Sequence, residues 1–247
     1  MPSQANRHRC EIVEVECLGA TRRVILRPES LTGFDFMAGQ YAQIGLSGGR
    51  WCPFSIANPP HQTDHLELHI RISADSADSL EIERLIERRE PLLVELPFGD
   101  CLLDALPDRP TLFIASGTGF AQMKSLVEHC LHWRCQSPLY LYWGAYHPHD
   151  LYLEPLPRRW QKEHPLFRYQ ATLFGPDARW QGRRGLLHEV IAEDFSSLAG
   201  MEVYLSGSPG MVYGTLDALL PLRLQPEQCH ADVFAYAPRE WSGWQRR

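Results

Sequence analysis

Thr111-Leu112-Phe113-Ile114-Ala115-Ser116-Gly117-Thr118-Gly119-Phe120 is the stretch whose reading decides the fold of this chain. A short apolar run without alternation enters a two-glycine turn, and residues 120–132 then recur at helical spacing. A strand that is apolar on both faces belongs to a parallel sheet covered by helices. Glycines in such a turn let the backbone approach a diphosphate, and the following helix offers it free N–H groups and a positive dipole end. An ordinary tight turn is the plain alternative. Gln122 stands where the common dinucleotide fingerprint places its third glycine, so that fingerprint is incomplete.

Downstream, the same alternation continues. The pattern predicts strands at 138–144, 167–174, 201–205 and 230–236, with helices at 151–163, 185–194 and 209–220. A second glycine loop, Ser206-Gly207-Ser208-Pro209-Gly210-Met211, follows the strand ending in Tyr204-Leu205. Two such loops at the carboxyl ends of parallel strands face one crevice, although each alone is also a run of turn formers. Upstream, Pro107-Asp108-Arg109-Pro110 reads as a linker. Before it, strands are expected near 8–17, 22–28, 40–46, 51–57, 65–73 and 92–96, with turn residues between them. Leu66, Leu68, Ile70 and Ile72 alternate with His65, Glu67, His69 and Arg71, which predicts one buried and one polar face. A helix capped by Asp78 or Ser79 interrupts the strands. The expected architecture is an antiparallel six-stranded β-barrel over 1–106 and a parallel α/β nucleotide-binding domain over 107–236. An extension at 237–247 carries Trp241 and Trp244.

Composition narrows the function. Hydrophobic residues make up 44% and charged residues 22%, as in globular proteins, and no apolar run approaches the ~20 residues of a membrane span. The first nine residues lack the apolar core of a signal peptide, so a soluble, cytoplasmic protein with no membrane partner is expected. A net charge of −6 argues against nucleic acid as partner. The seven cysteines form no Cys-x-x-Cys pair and fit reduced thiols, with neither a disulfide framework nor an iron–sulfur cluster. His61, His65 and His69 are spaced by four, but on a strand that spacing gives a surface reading rather than a metal site. His147-Pro148-His149-Asp150 reads as a solvated loop, and no metal is expected. Cys130 and Cys135 read as a helix-end core cysteine and a loop cysteine, and Arg183-Arg184 as a phosphate contact or an exposed turn.

A third stretch, Trp51-Cys52-Pro53-Phe54-Ser55-Ile56-Ala57-Asn58, ends a strand with an aromatic beside a hydroxyl. With Gly117-Thr118-Gly119-Phe120 and Gly207 with Met211, it resembles the ferredoxin–NADP+ reductase-like superfamily, above all its bacterial NAD(P)H:flavin reductases. Leu66-Glu67-Leu68-His69-Ile70 and Tyr142-Trp143-Gly144 extend the resemblance in the same order across about residues 35–236.

The resemblance implies an oxidoreductase that passes hydride from NADH or NADPH to a flavin (FAD, FMN or riboflavin). Ser55 would be the catalytic residue, bonding the flavin near N5. Cys52, Pro53 and Phe54 would line the flavin and backbone groups of His69 and Ile70 would meet the pyrimidine edge of its ring, with Phe234 or Tyr236 as the aromatic beside it. Gly117, Thr118, Gly119 and Phe120 would hold the nucleotide diphosphate, and Gly207, Pro209 and Met211 would shape the nicotinamide side. Two departures favour flavin as a passing substrate. The family arginine before Pro-Phe-Ser is Cys52, with Arg50 as a partial substitute two residues away. The turn Ser73–Ser79 carries Asp75 and Asp78 and no glycine. The alternative is a reductase with retained flavin that serves an oxygenase or iron–sulfur protein as electron acceptor; a degenerate binding module is the third reading. No arginine follows Gly144, which favours NADH.

Overall fold

The computed structural model describes residues 5–239, so Trp241 and Trp244 lie outside the described residues. Its first half holds β1 (Asn6–Leu18), β2 (Thr21–Pro28), β3 (Tyr41–Gly45), β4 (Trp51–Ser55) and β5 (Leu66–Arg71). Helix α1 (Ala77–Glu87) and β6 (Leu92–Phe98) complete it. All pairings in this sheet are antiparallel, in the order β4-β3-β6-β1-β2-β5. A single bridge between Ile56 and Leu68 draws its two edges toward one another. Leu26, Ile44, Ile56, Leu68 and Val94 fill the interior, and Ile82 and Ile86 seat α1 against them. The cap of α1 is Ser76, whose Oγ accepts from Ser79 N–H at 3.2 Å, rather than Asp78 or Ser79.

The second half alternates β7 (Thr111–Ser116), α2 (Phe120–His132), β8 (Leu139–Ala145), α3 (Pro155–Glu163), β9 (Phe167–Leu173) and β10 (Arg183–Arg184). It continues through α4 (Leu187–Asp194), β11 (Glu202–Ser206), α5 (Pro209–Leu219), β12 (Cys229–His230) and α6 (Val233–Tyr236). The sheet is parallel throughout, in the order β10-β9-β8-β7-β11-β12. Helices bury both its faces, one against Phe113, Leu141 and Trp143 and the other against Leu112, Ile114 and Val203. The chain leaves β7 to one side through β8 and β9 and returns on the other as β11, so the topological switch point lies between β7 and β11.

Two expectations are corrected here. The predicted strand 230–236 is only β12, because the chain turns after His230 into α6. In β5 the alternation does not leave a polar face in water. Glu67 and His69 are 3% and 4% exposed, because the second half of the chain packs over them.

Candidate active site

The carboxyl ends of β7 and β11 meet β3, β4 and β5 across a cleft of about 610 Å³. One wall carries Tyr41, Gln43, Pro53, Phe54, Ser55 and Arg71; the other carries Ser116, Thr118, Gly119, Ser206, Gly207 and Ser208. The two glycine loops touch because β7 and β11 are hydrogen-bonded neighbours, with Ser206 in register with Ala115. Gly119 is required there. A methyl group on it would run into the Ser206 carbonyl and lie 3.1 Å from Gly207 N. Gly117 adopts φ +54°, and its carbonyl accepts from Trp143 Nε1 at 3.0 Å, which ties the turn to the core. No side chain caps α2, and the N–H of its first residue, Phe120, donates back into the Gly117–Thr118 turn, whereas Ser208 caps α5 by accepting from Met211 N–H at 3.3 Å.

The structure divides the residues named above. Pro53, Phe54, Ser55, His69, Thr118, Gly119, Gly207 and Tyr236 line the cleft. Cys52 does not: its side chain packs on the barrel interior, and burial raises its thiol pKa. The Ile70 side chain is in the core, 1% exposed, which leaves only its backbone for the expected contact. Phe120 is fully buried and stacks on Trp143 with centroids 3.8 Å apart, so it builds the floor beneath the turn. Gly117, Pro209 and Met211 stand behind the lining, where they shape the loops. Of the two candidate aromatics, Tyr236 is at the cleft, while Phe234 packs against the core of the second half. Arg50 is no substitute for the missing arginine. It pairs with Asp78 and Glu81 of α1 and so occupies one of the two aspartates in the acidic turn. Arg71, half-exposed and 3.3 Å from Asp150, is the cation that lines the cleft among the described residues. Arg183 is taken up by Asp194 at 2.6 Å and by Glu193, away from the cleft.

Several contributors carried no sequence signal. Asp232 lines the cleft between Gln122 Nε2 (2.8 Å) and Cys101 N–H (3.4 Å), and burial raises its carboxyl pKa to about 6. Gln122, noted only as a missing glycine, also donates to the Gly39 carbonyl at 2.6 Å and so joins α2 to the first half. Beneath His69 lies a buried ionic group. His69 Nε2 donates to Glu67 at 2.8 Å, which leaves Nδ1 to accept from the Tyr152 hydroxyl at 2.9 Å. Lys124 Nζ reaches Glu67 at 3.1 Å, Glu128 at 2.9 Å and the Ala57 carbonyl at 3.2 Å. Arg23 Nε is 2.9 Å from Glu67. Burial alone would raise the Glu67 pKa, but His69, Lys124 and Arg23 together hold it well below the usual carboxylate range. Burial lowers the pKa of His69 despite its bond to Glu67.

The three spaced histidines separate. His61 stacks on His132 at 3.6 Å, His65 meets Asp64 at 2.7 Å, and His69 is internal. No helix among the described residues is long and apolar enough to cross a membrane.

Residues 113–217 match the oxidoreductase NAD-binding domain family. The chain is 30% identical over 234 residues to the NAD(P)H-flavin reductase of Aliivibrio fischeri, covering 92% of this chain and 98% of that one. It is 35% identical over 204 residues to terephthalate 1,2-dioxygenase reductase component 2 of Comamonas sp., covering 82% of this chain. It spans only 60% of that relative's length. The Amycolatopsis cytochrome P450 reductase GcoB superposes with a TM-score of 0.85 at 27% identity, over 94% of this chain and 71% of that one.

Proposed function

Since the chain belongs to the ferredoxin–NADP+ reductase-like family, with NAD(P)H-flavin reductases among its relatives, we propose that it reduces free flavin with NADH or NADPH. The observation that carries this reading is the facing of Pro53-Phe54-Ser55 and the paired glycine loops across one cleft. The residues fit both groups. Gly119 lets the two loops close on one another at the end of the sheet, Gly117 has open space beside its Cα where a diphosphate would approach, and a flat aromatic wall with one hydroxyl suits a ring system. When both are bound, hydride passes from the nicotinamide to the flavin ring. Ser55 Oγ would orient the ring by a hydrogen bond, Phe54 and Pro53 would cover it, and the Ser206–Ser208 loop would exclude water from the other side.

We assign residues 1–106 to flavin binding, 107–236 to the nucleotide and 237–247 to an extension, in a cytoplasmic protein. NADH is favoured because the loop after Gly144 offers Ala145-Tyr146-His147 and no arginine. Arg50 held by Asp78 and Glu81 favours flavin as substrate over resident cofactor. Likeness to an oxygenase reductase component and a cytochrome P450 reductase supports the second reading, retained flavin and an electron-accepting protein partner.

The visible spectrum of purified protein separates the two readings. The free-flavin reading expects colourless protein that oxidises NADH only when FMN, FAD or riboflavin is added. A stoichiometric flavin band surviving gel filtration refutes it in favour of the second reading. No oxidation with any pair of nucleotide and flavin refutes both.

A further inference from the structure

Helix α2 ends in a reversal that brings two cysteines together. Trp133 is the C-cap, Arg134 takes the left-handed conformation at φ +54°, and the chain folds back. Cys135 N–H donates to the Cys130 carbonyl at 2.9 Å and Arg134 N–H to the Leu131 carbonyl at 3.1 Å. This pair of bonds defines a Schellman motif, in which the second residue past the cap lies against the third residue before it, usually through an apolar contact. Here both positions are cysteines: Cys135 packs against the core that holds Cys130, and its sulfur also lies 3.4 Å from the Pro107 carbonyl. Cys130 is fully buried in the core of the second half, whereas Cys135 is half-buried and lines a separate cavity of about 270 Å³ with Leu131, Arg134 and His164.

The two thiols have different environments. The neighbouring Cys135 sulfur and burial raise the Cys130 pKa, while the Cys130 thiol lowers that of Cys135 to about 6. A partly exposed thiolate lining a cavity with an arginine and a histidine, with a second sulfur beside it, has the makings of a reactive thiol and its resolving partner. Glycine is the usual residue in the left-handed position of the motif. Arg134 holds it here at a conformational cost of about 1 kcal/mol.

We propose that Cys130 and Cys135 are a peroxide-reactive dithiol in which hydrogen peroxide oxidises Cys135 and Cys130 then closes an intramolecular disulfide. The Cys135 thiolate attacks one peroxide oxygen, the O–O bond breaks, and the leaving hydroxide takes up a proton to become water. Cys135 is then a sulfenic acid. The Cys130 sulfur gives up its proton and attacks that sulfur; the S–O bond breaks, the S–S bond forms, and the departing hydroxide leaves with the proton as a second water. Counted from two neutral thiols, the pair loses two electrons and peroxide gains two. Peroxide forms wherever reduced flavin meets dioxygen, but the dithiol chemistry needs only the oxidant and does not depend on the activity proposed above. An accessible thiolate that lacked a partner would go on to irreversible acids. Cys130 stops the ladder at a state that thiols can reverse.

Trypsin cleavage after Arg134 puts the two cysteines on separate peptides, 125–134 and 135–158, so the disulfide is read directly. Full-length protein is reduced, freed of reductant, treated with excess hydrogen peroxide, alkylated and digested. The expected product is the two peptides joined, released by dithiothreitol. In Cys130→Ser, Cys135 should accumulate as a sulfenic acid trapped by dimedone; in Cys135→Ser, Cys130 should stay reduced. Alkylation of Cys135 in untreated wild type should titrate with a midpoint near pH 6. Recovery of Cys130 and Cys135 as free thiols under peroxide that oxidises exposed Cys17 overturns the proposal, as does a Cys135 midpoint at the ordinary thiol value of about 8.5.

Discussion

Replacing Lys124 by Met tests the buried ionic group that joins β5 to α2 beneath His69. Lys124 is 5% exposed and satisfies two carboxylates and a carbonyl, at 3.1 Å (Glu67), 2.9 Å (Glu128) and 3.2 Å (Ala57). Removing one partner of a buried ion pair costs about 3–5 kcal/mol, because the charge left behind is not rehydrated. Arg23 and His69 still contact Glu67, which puts the expected loss at the lower end, about 3 kcal/mol. For a chain of this size that loss corresponds to a fall in Tm of about 6–12 °C. The pH dependence has a definite sign. Glu67 has a depressed folded pKa, so its stabilisation is present above the unfolded carboxylate value of about 4.3 and is lost as pH falls toward the folded value. Glu128, raised by burial, is relieved by protonation. The gap between wild type and Lys124→Met should therefore be widest at neutral pH and narrow on acidification. The assay is thermal and urea unfolding followed by near-ultraviolet circular dichroism, with Glu67→Gln and the double variant completing a cycle. A loss below about 1 kcal/mol, or a cycle additive within about 0.3 kcal/mol, refutes the reasoning.

Ser55→Ala should slow hydride transfer to added flavin by about tenfold or more while the KM for NADH changes little, read by stopped-flow NADH oxidation; unchanged turnover removes Ser55 from the mechanism. Gly119→Ala should push the two glycine loops apart and raise the KM for NADH well over tenfold with flavin affinity near wild type, measured by separate titrations. Equal weakening of both ligands would show that the damage is global. Asp232 has a folded pKa of about 6, above that of the unfolded chain, so wild type should lose stability as pH rises from about 4 to 6. Asp232→Asn should flatten that slope in urea titrations, and an identical pH profile would refute the assignment.

The burial and turn chemistry of particular segments explain what was legible. The strand 111–116 is apolar on both faces because helices cover both sides of its sheet, so composition alone marks it as parallel and internal. The loops at 116–120 and 206–211 were readable because close backbone approach demands glycine, and Gly119 meets the Ser206 carbonyl. Tyr236 and Ser55 were within reach of motif resemblance. That the side chains of Phe120 and Cys52 face the core was not legible, because a motif records which residues recur, not whether a side chain faces ligand or core. The strand predicted at 230–236 failed because, among the described residues, Cys229–His230 pairs only with β11, after which the chain turns into the helix that carries Tyr236 to the cleft.

By itself, then, the sequence determined two sheets of opposite kind and the pair of glycine loops between strand and helix, since periodicity and glycine placement are local properties of the chain. Only the tertiary structure decided the rest. It made the polar face of β5 a buried surface, turned Glu67, His69, Lys124 and Tyr152 into one group, and set Asp232 beside Gln122 at the cleft. Those partners are separated by 57, 83 and 110 residues, and no local pattern carries a charge's distant counterpart. A polar residue that sequence periodicity assigns to water can be buried only when another part of the chain supplies the partner that water would have been.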